Sequence, residues 1–392
     1  MHALDDVSVV SLGQIYNGPY CALLLAYLGA DVVKVEPPGG ERMRARDEEG
    51  MTPEVVMLNS SKDSLTLDLK SDRGTELFRD LVAEADVLVE NYSTGTMDRL
   101  GLGYDDLAAD NPELIYASGS GYGESGPYTD YPAMDLTVQA MTGVMDVNGF
   151  PEHPPVKTGV QVADFMGGVH LALAVLAALH QRERTGEGQF VEVGMMEAVY
   201  PTLLSPMAAH YTNPDAPHRT GNRHSGLRIS PYNVYQAEDG YVAIICNAEH
   251  IWERLTEAIG RPDLQDDERY GTNENRRERM DAVDDVVRAW TSERTRDEAV
   301  DILRKAGVPC APVQTRDEVL HDEHLEARGM IQEVHHPDAG TIRVPGLPMK
   351  LHGAEGPQIE VADGPGASSR AVLADLGLSD DAIDELADAG VI

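Results

Sequence analysis

Cysteine is scarce in this chain of 392 residues: Cys21, Cys246 and Cys310 lie far apart, with no CxxC pair and no local Cys/His ligand spacing. That pattern argues against a disulfide framework and against a zinc site, and each cysteine reads as a small buried hydrophobe. Lysine is scarce too, with only Lys34, Lys62, Lys70, Lys157, Lys305 and Lys350. No uncharged apolar run approaches the length of about eighteen residues that a bilayer span requires, since Val169 to Leu179 is too short. A membrane is therefore not an expected partner. The N-terminus lacks a basic stretch followed by an apolar one, so a cytoplasmic location is expected. No GxGxxG follows the first strand, where the chain reads Leu12, Gly13, Gln14, Ile15, Tyr16, Asn17, Gly18, Pro19. A dinucleotide site is not expected there. GxSxG, the hydrolase nucleophile elbow, is also missing.

What the chain has in excess is acid. Sixty-seven Asp and Glu against 31 Lys and Arg give a net charge of −36. Nucleic acid is a poor partner for such a surface. Acid excess with few lysines fits a halophilic cytoplasm, where high salt screens the self-repulsion. At 42% hydrophobic and 25% charged, the chain is a globular protein long enough for two domains.

Short β-rich runs alternate with helical ones through the first half. Strand Ser8–Ser11, helix Tyr20–Leu28 and strand Asp31–Val35 form a βαβ unit, and helix 71–83, strand 85–90, helix 94–100 and strand 113–117 continue it. A helix at 134–145, the long apolar helix 164–184, strand 189–193 and a helix at 195–211 follow. This alternation predicts an α/β fold with a Rossmann-like doubly wound parallel sheet. A polar, Gly/Pro-rich stretch at 212–230 reads as a linker. A hairpin and charged helices at 231–330 read as a smaller α+β domain. Residues 379–389 form an amphipathic helix expected to return to the first domain, which gives a large domain of 1–211 with 331–392.

Asp164 opens the most apolar helix, with Gly167 and Gly168 in its first turn and Thr185, Gly186, Glu187 and Gly188 past its end. A helix N-terminus favours an ionised acid, and two glycines let a ligand approach, so Asp164 is a candidate nucleophile. Asp is equally a favoured N-cap. Asp135 begins the preceding helix with the same N-terminal advantage. Among scarce cations, Arg42, Arg44 and Arg46, and then Arg219, Arg223 and Arg228, are candidates for an anionic ligand or for charge balance. Glu152 in a proline-stiffened loop is a reserve nucleophile; His153, His170, His180 and His224 read as packed or solvated.

In order and spacing, these segments resemble the class III CoA-transferases. The resemblance covers almost the whole chain. It rests on Asn17–Pro19, Leu28–Pro37, Leu67–Lys70, Asp86–Tyr92 leading to Asp98–Gly101, Gly121–Gly123, Asp164 with Gly168, Arg184–Gln189, and Gly307–Val313. It implies an interlocked homodimer, CoA and acyl-CoA as substrates rather than a resident cofactor, and no metal. It places the catalytic aspartate at Asp164. It assigns CoA contacts to Ile15, Tyr16, Asn17, Leu67, Lys70, Asn91, Tyr92, Arg99, Ser120 and Gly121, with Arg42 or Arg44 as stand-ins at the phosphates. Tyr122, Asp135, Ser225 and Gly226 fall near the acyl group, the last two as a mobile cover.

The implied chemistry moves CoA between two small organic acids through an aspartyl-CoA thioester. The acid excess and the family's range point to a dicarboxylic pair such as succinyl-CoA with mesaconate. Two other readings share the motifs: an α-methylacyl-CoA racemase and a catalytically silent CoA-binding protein. The racemase pairs its aspartate with a histidine directly before the acid matching Asp135, and here that place holds Met134. One base cannot run a two-base proton exchange.

Overall fold

The computed structural model describes residues 1–44, 52–337, 340–357, 359–361 and 364–392. The chain divides into two compact units: residues 1–142, 160–201 and 320–392 form the larger, and residues 143–159 and 202–319 form the smaller. Against the expected extents, 143–159 and 202–211 go with the smaller unit and 320–330 with the larger.

The larger unit is built on six parallel strands: β1 (Ser8–Ser11), β2 (Asp31–Glu36), β3 (Asp63–Thr66), β4 (Val87–Glu90), β5 (Ile115–Ser120) and β6 (Gln189–Gly194). Their spatial order is β3-β2-β1-β4-β5-β6. The order reverses between β1 and β4, and loops leaving the carboxyl ends of these two strands diverge to leave a crevice. Helices cover both faces of the sheet, so a central strand such as β4 is buried on both sides, apolar at Val87, Leu88 and Val89 and ending in the buried acid Glu90. On one face α1 (Asn17–Tyr27) packs against the later 24-residue helix Val162–Thr185 around Cys21, Leu25, Leu171 and Val175. On the other face Leu77, Phe78 and Leu81 meet Ile383, Leu386 and Val391 from the chain's end. The expected return of the C-terminal helix, here Asp380–Asp388 capped by Ser379, is thus in place.

Two further helices position the site: α2 (Asp135–Thr142) and α3 (Val162–Thr185). Among the described residues, α3 is the one helix long and apolar enough to cross a bilayer by length and composition, more so than the run Val169–Leu179 indicates. Its inner face is buried in the core. The single helix expected at 195–211 is broken into Met195–Val199, a 3₁₀ turn Tyr200–Leu203 and Leu204–Thr212. Pro201 and Pro206 explain the breaks, since proline removes an N–H and crowds the preceding turn.

The smaller unit carries an antiparallel sheet of Tyr232–Ala237, Gly240–Ile245 and Cys310–Pro312, with Trp252, Leu255, Val283 and Leu303 in its core. Its buried Asp284 accepts from Tyr235 Oη at 2.7 Å and Arg223 Nη2 at 2.5 Å.

Candidate active site

The crevice at the β1/β4 reversal opens into a cleft of about 380 Å³ within the larger unit. The loop after β1 supplies Gln14 and Ile15 and the start of α1 Asn17; the loop after β4 supplies Asn91 and Tyr92; the end of β5 and the turn after it supply Gly119 to Tyr122; α3 supplies Asp164. Each of these segments leaves the carboxyl end of a strand or opens a helix, where backbone donors point outward. Arg42 is the one Lys or Arg among the described residues lining the cleft.

Asp164 lies third in α3, not at its cap: the helix begins at Val162 after Gln161. The cap comes from another element. Oδ1 of Asp135, at the start of α2, accepts from the backbone N–H of Ala163 at 2.8 Å and of Asp164 at 3.3 Å. Its second oxygen accepts from Nε2 of the buried Gln139 at 2.5 Å. The helix terminus expected to keep Asp164 ionised is therefore already occupied by a carboxylate. Burial, reinforced by the Asp135 charge, pushes the Asp164 carboxyl up to about 7.

Contrary to the expectation from sequence, Gly167 and Gly168 do not open space for a ligand. A Cβ at Gly167 would come within 2.2 Å of Asn17 Nδ2, and one at Gly168 within 2.7 Å of the Asn17 carbonyl. They let α1 and α3 approach closely. Asn17 is buried between Gly167 and Gly119.

Of the residues assigned to CoA, Ile15, Asn17, Asn91, Tyr92, Ser120 and Gly121 line the cleft. Asn91 also works inward: its amide accepts from Gln14 N–H at 2.7 Å and donates to Gln14 O at 3.0 Å, fixing the β1 loop. Tyr16 is half-buried, its ring 5.9 Å from Phe165. Leu67 is a core side chain at 1% exposure, packed with Leu77 and Phe78, so its side chain is unavailable to a ligand. Lys70 and Arg99 are exposed and do not line the cleft; Arg99 Nη2 donates to Thr96 Oγ1 at 2.8 Å.

Arg44 is not a phosphate contact. It is buried and holds Glu36 through Nε and Nη2, both at 2.8 Å. Arg46 lies outside the described residues. The other arginine group is directed to acids of its own unit, Arg219 to Asp146 and Arg223 to Asp281 and Asp284, while Arg228 meets the Ala208 carbonyl and Thr212.

Tyr122 and Met134 line the cleft with Asp164, whereas Asp135 acts through the helix terminus. Ser225 and Gly226 belong to the smaller unit, in a 3₁₀ turn beside a cavity of about 280 Å³ that His210 and His218 also line. Glu152 and His153 are exposed. His170 Nδ1 lies 2.7 Å from Met166 O, His180 is exposed beside Glu183, and the His224 ring lies 5.5 Å from that of Tyr232. The segment Thr129–Ala133, including Asp130 and Tyr131, also lines the cleft and was not singled out in the sequence. It has no periodicity to betray it. Gln139 was missed as well, although it stands four residues after Asp135, one helical turn away.

The sequence profile of CoA-transferase family III matches residues 4–367. The chain belongs to this family. As a family III CoA-transferase it uses CoA thioesters as substrates. It is 37% identical over 384 residues to the succinyl-CoA–D-citramalate CoA-transferase of Chloroflexus aurantiacus, covering 96% of this chain and 95% of that one. It is 39% identical to the succinyl-CoA:mesaconate CoA-transferase of Haloarcula hispanica, covering 90% of each. A CaiB/BaiF family protein from Brucella suis has a similar crystal structure, with a TM-score of 0.86 and 34% identity over 96% of this chain and 99% of that one.

Proposed function

We propose that this family III CoA-transferase moves CoA between two small dicarboxylic acids through a covalent intermediate on Asp164. The observation that carries the reading is the placement of Asp164 in the cleft at the β1/β4 reversal, half-buried beside the Asp135 cap. A carboxylate oxygen of Asp164 attacks the donor thioester carbonyl, the C–S bond breaks, CoA leaves as thiolate, and a mixed anhydride of Asp164 with the donor acid remains. The thiolate then attacks the Asp164 carbonyl, releasing the donor acid as carboxylate and leaving an aspartyl-CoA thioester. The acceptor carboxylate runs the same two steps in reverse and regenerates ionised Asp164.

The Chloroflexus and Haloarcula relatives are named for succinyl-CoA with D-citramalate and with mesaconate, which supports a C4–C5 dicarboxylic pair for this chain. The likeness to the class III family supports an interlocked homodimer, for which light scattering is expected to read the mass of two chains, and the N-terminal residues support a cytoplasmic location.

A racemase draws on the same acid near pH 7, which suits a proton carrier. However, the described lining of the cleft contains no histidine to serve as its partner. Mass spectrometry after incubation with succinyl-CoA discriminates the readings. A hydroxylamine-sensitive CoA adduct on the Asp164 peptide is expected, and Asp164→Asn removes it with a loss of at least about a thousandfold in rate. In a parallel incubation with a 2-methylacyl-CoA, whose α-carbon is stereogenic, solvent deuterium at that carbon without an adduct establishes racemisation, and binding with neither outcome establishes a silent CoA-binding protein.

A further inference from the structure

Ile15 is β-branched, yet its φ is +66°. Glycine adopts this left-handed conformation readily, whereas a β-branched residue strongly disfavours it, so surrounding contacts must impose it. Those contacts are on the page. The Ile15 N–H donates to Oε2 of Glu41 at 2.9 Å. The other oxygen of Glu41 accepts from Lys34 Nζ at 2.9 Å, and the same ammonium donates to the Gly13 carbonyl at 2.8 Å. The side chains of Lys34 and Glu41 are 2% and 1% exposed. One buried ion pair thus grips the loop after β1 at Gly13 and at Ile15, while Asn91 holds Gln14 between them.

The grip is anchored from behind. Glu41 N–H donates to Oε2 of Glu36 at 3.0 Å, and Glu36 is in turn held by Arg44 and by Ser64 Oγ at 3.1 Å. Arg42, the cation at the cleft wall, follows Glu41 directly. A buried ion pair is rarely the most stable filling for a core, because an apolar pair of similar volume is often as good. An apolar pair, however, cannot hold the Gly13 carbonyl and the Ile15 N–H.

We infer that Glu41 is a positioning residue of the CoA cleft: its carboxylate, fixed by Lys34, holds Ile15 left-handed and so sets the wall formed by Ile15, Asn17 and Arg42. The inference rests on the reading of this cleft as the CoA site. The full-length enzyme carrying Lys34→Met with Glu41→Leu tests it without leaving one buried charge alone. The expected result is a melting temperature close to the wild type, a KM for succinyl-CoA raised about tenfold or more, and kcat within about threefold. Adding Ile15→Gly, which adopts the left-handed turn unaided, is expected to recover at least half of that loss on a logarithmic scale. If the double variant fails to fold, Lys34→Met with Glu41→Met, which likewise leaves no unpaired charge and no acceptor for the Ile15 N–H, gives the same comparison with and without Ile15→Gly.

An unchanged KM overturns the inference, and so does a KM loss that glycine leaves untouched, since a merely structural ion pair predicts no rescue. The two readings fail separately. A wild-type adduct on Asp164 with an unchanged KM sinks only the role of Glu41. No adduct, together with a glycine-rescued KM, sinks only the aspartyl intermediate.

Discussion

Asp164 faces opposed demands, because attack needs the carboxylate and the site disfavours it. With its carboxyl pushed up to about 7, the proposed nucleophile is only partly ionised at neutral pH. The rate of aspartyl-thioester formation is therefore expected to rise with pH through about 7. Asp135→Asn, which keeps an oxygen for the Ala163 and Asp164 N–H groups but removes the charge, shifts that midpoint down, with burial retaining part of the rise. A midpoint unmoved by Asp135→Asn in single-turnover measurements would contradict this account. Stability runs the other way. Between about pH 4 and 7 the native state holds a proton on Asp164 that the unfolded chain has lost, so this group lowers stability as pH rises, with its full cost present above 7. Asp164→Asn is accordingly expected to stabilise the protein at pH 8 by about 2–4 kcal/mol, and far less at pH 4. Urea unfolding at the two values checks it. The residue and its role as a candidate were legible in the sequence. Its protonation was not, because the cap on α3 comes from Asp135, 29 positions away in the chain.

At the scale of elements, strands and most helices follow from local chemistry. Apolar runs bounded by turns give β1, β2, β4, β5 and β6, whereas β3 (Asp63–Thr66) carries Leu65 as its one apolar side chain and is not expected from the sequence; Ser71, Thr295 and Ser379 mark helix starts as caps. The break at Pro201 was equally available in the sequence, yet the apolar pattern runs through it and suggests one helix. Gly167 could not be interpreted locally, since a glycine in a helix serves an approaching ligand or an approaching backbone alike. The structure assigns it to α1. Gly167→Ala is expected to push Asn17 away and cost about 1–3 kcal/mol through overpacking, with loss of CoA affinity because Asn17 lines the cleft. Thermal unfolding and CoA titration calorimetry read the two effects. Leu67 teaches a related lesson. A matching position in a motif fixes the path of the backbone, but the alternation of the β3 edge turns this side chain into the core.

For the whole molecule, the net charge of −36 makes self-repulsion the term most sensitive to solution conditions. The screening length falls from about 10 Å at 0.1 M salt to about 3 Å at 1 M. The melting temperature is thus expected to rise steadily with KCl across this range, and a flat profile would remove the case for a halophilic protein. The α/β class, the family and the path of every strand of the Rossmann-like sheet but β3 follow from the sequence alone, because these depend on periodicity and on motifs in fixed order. Which side chains meet emerges from packing: Asp135 with the head of α3, Asn17 with Gly119 and Gly167, and Glu41 with Ile15. Those meetings depend on the depth of burial and on close approach between segments distant in sequence, and neither is written in local pattern.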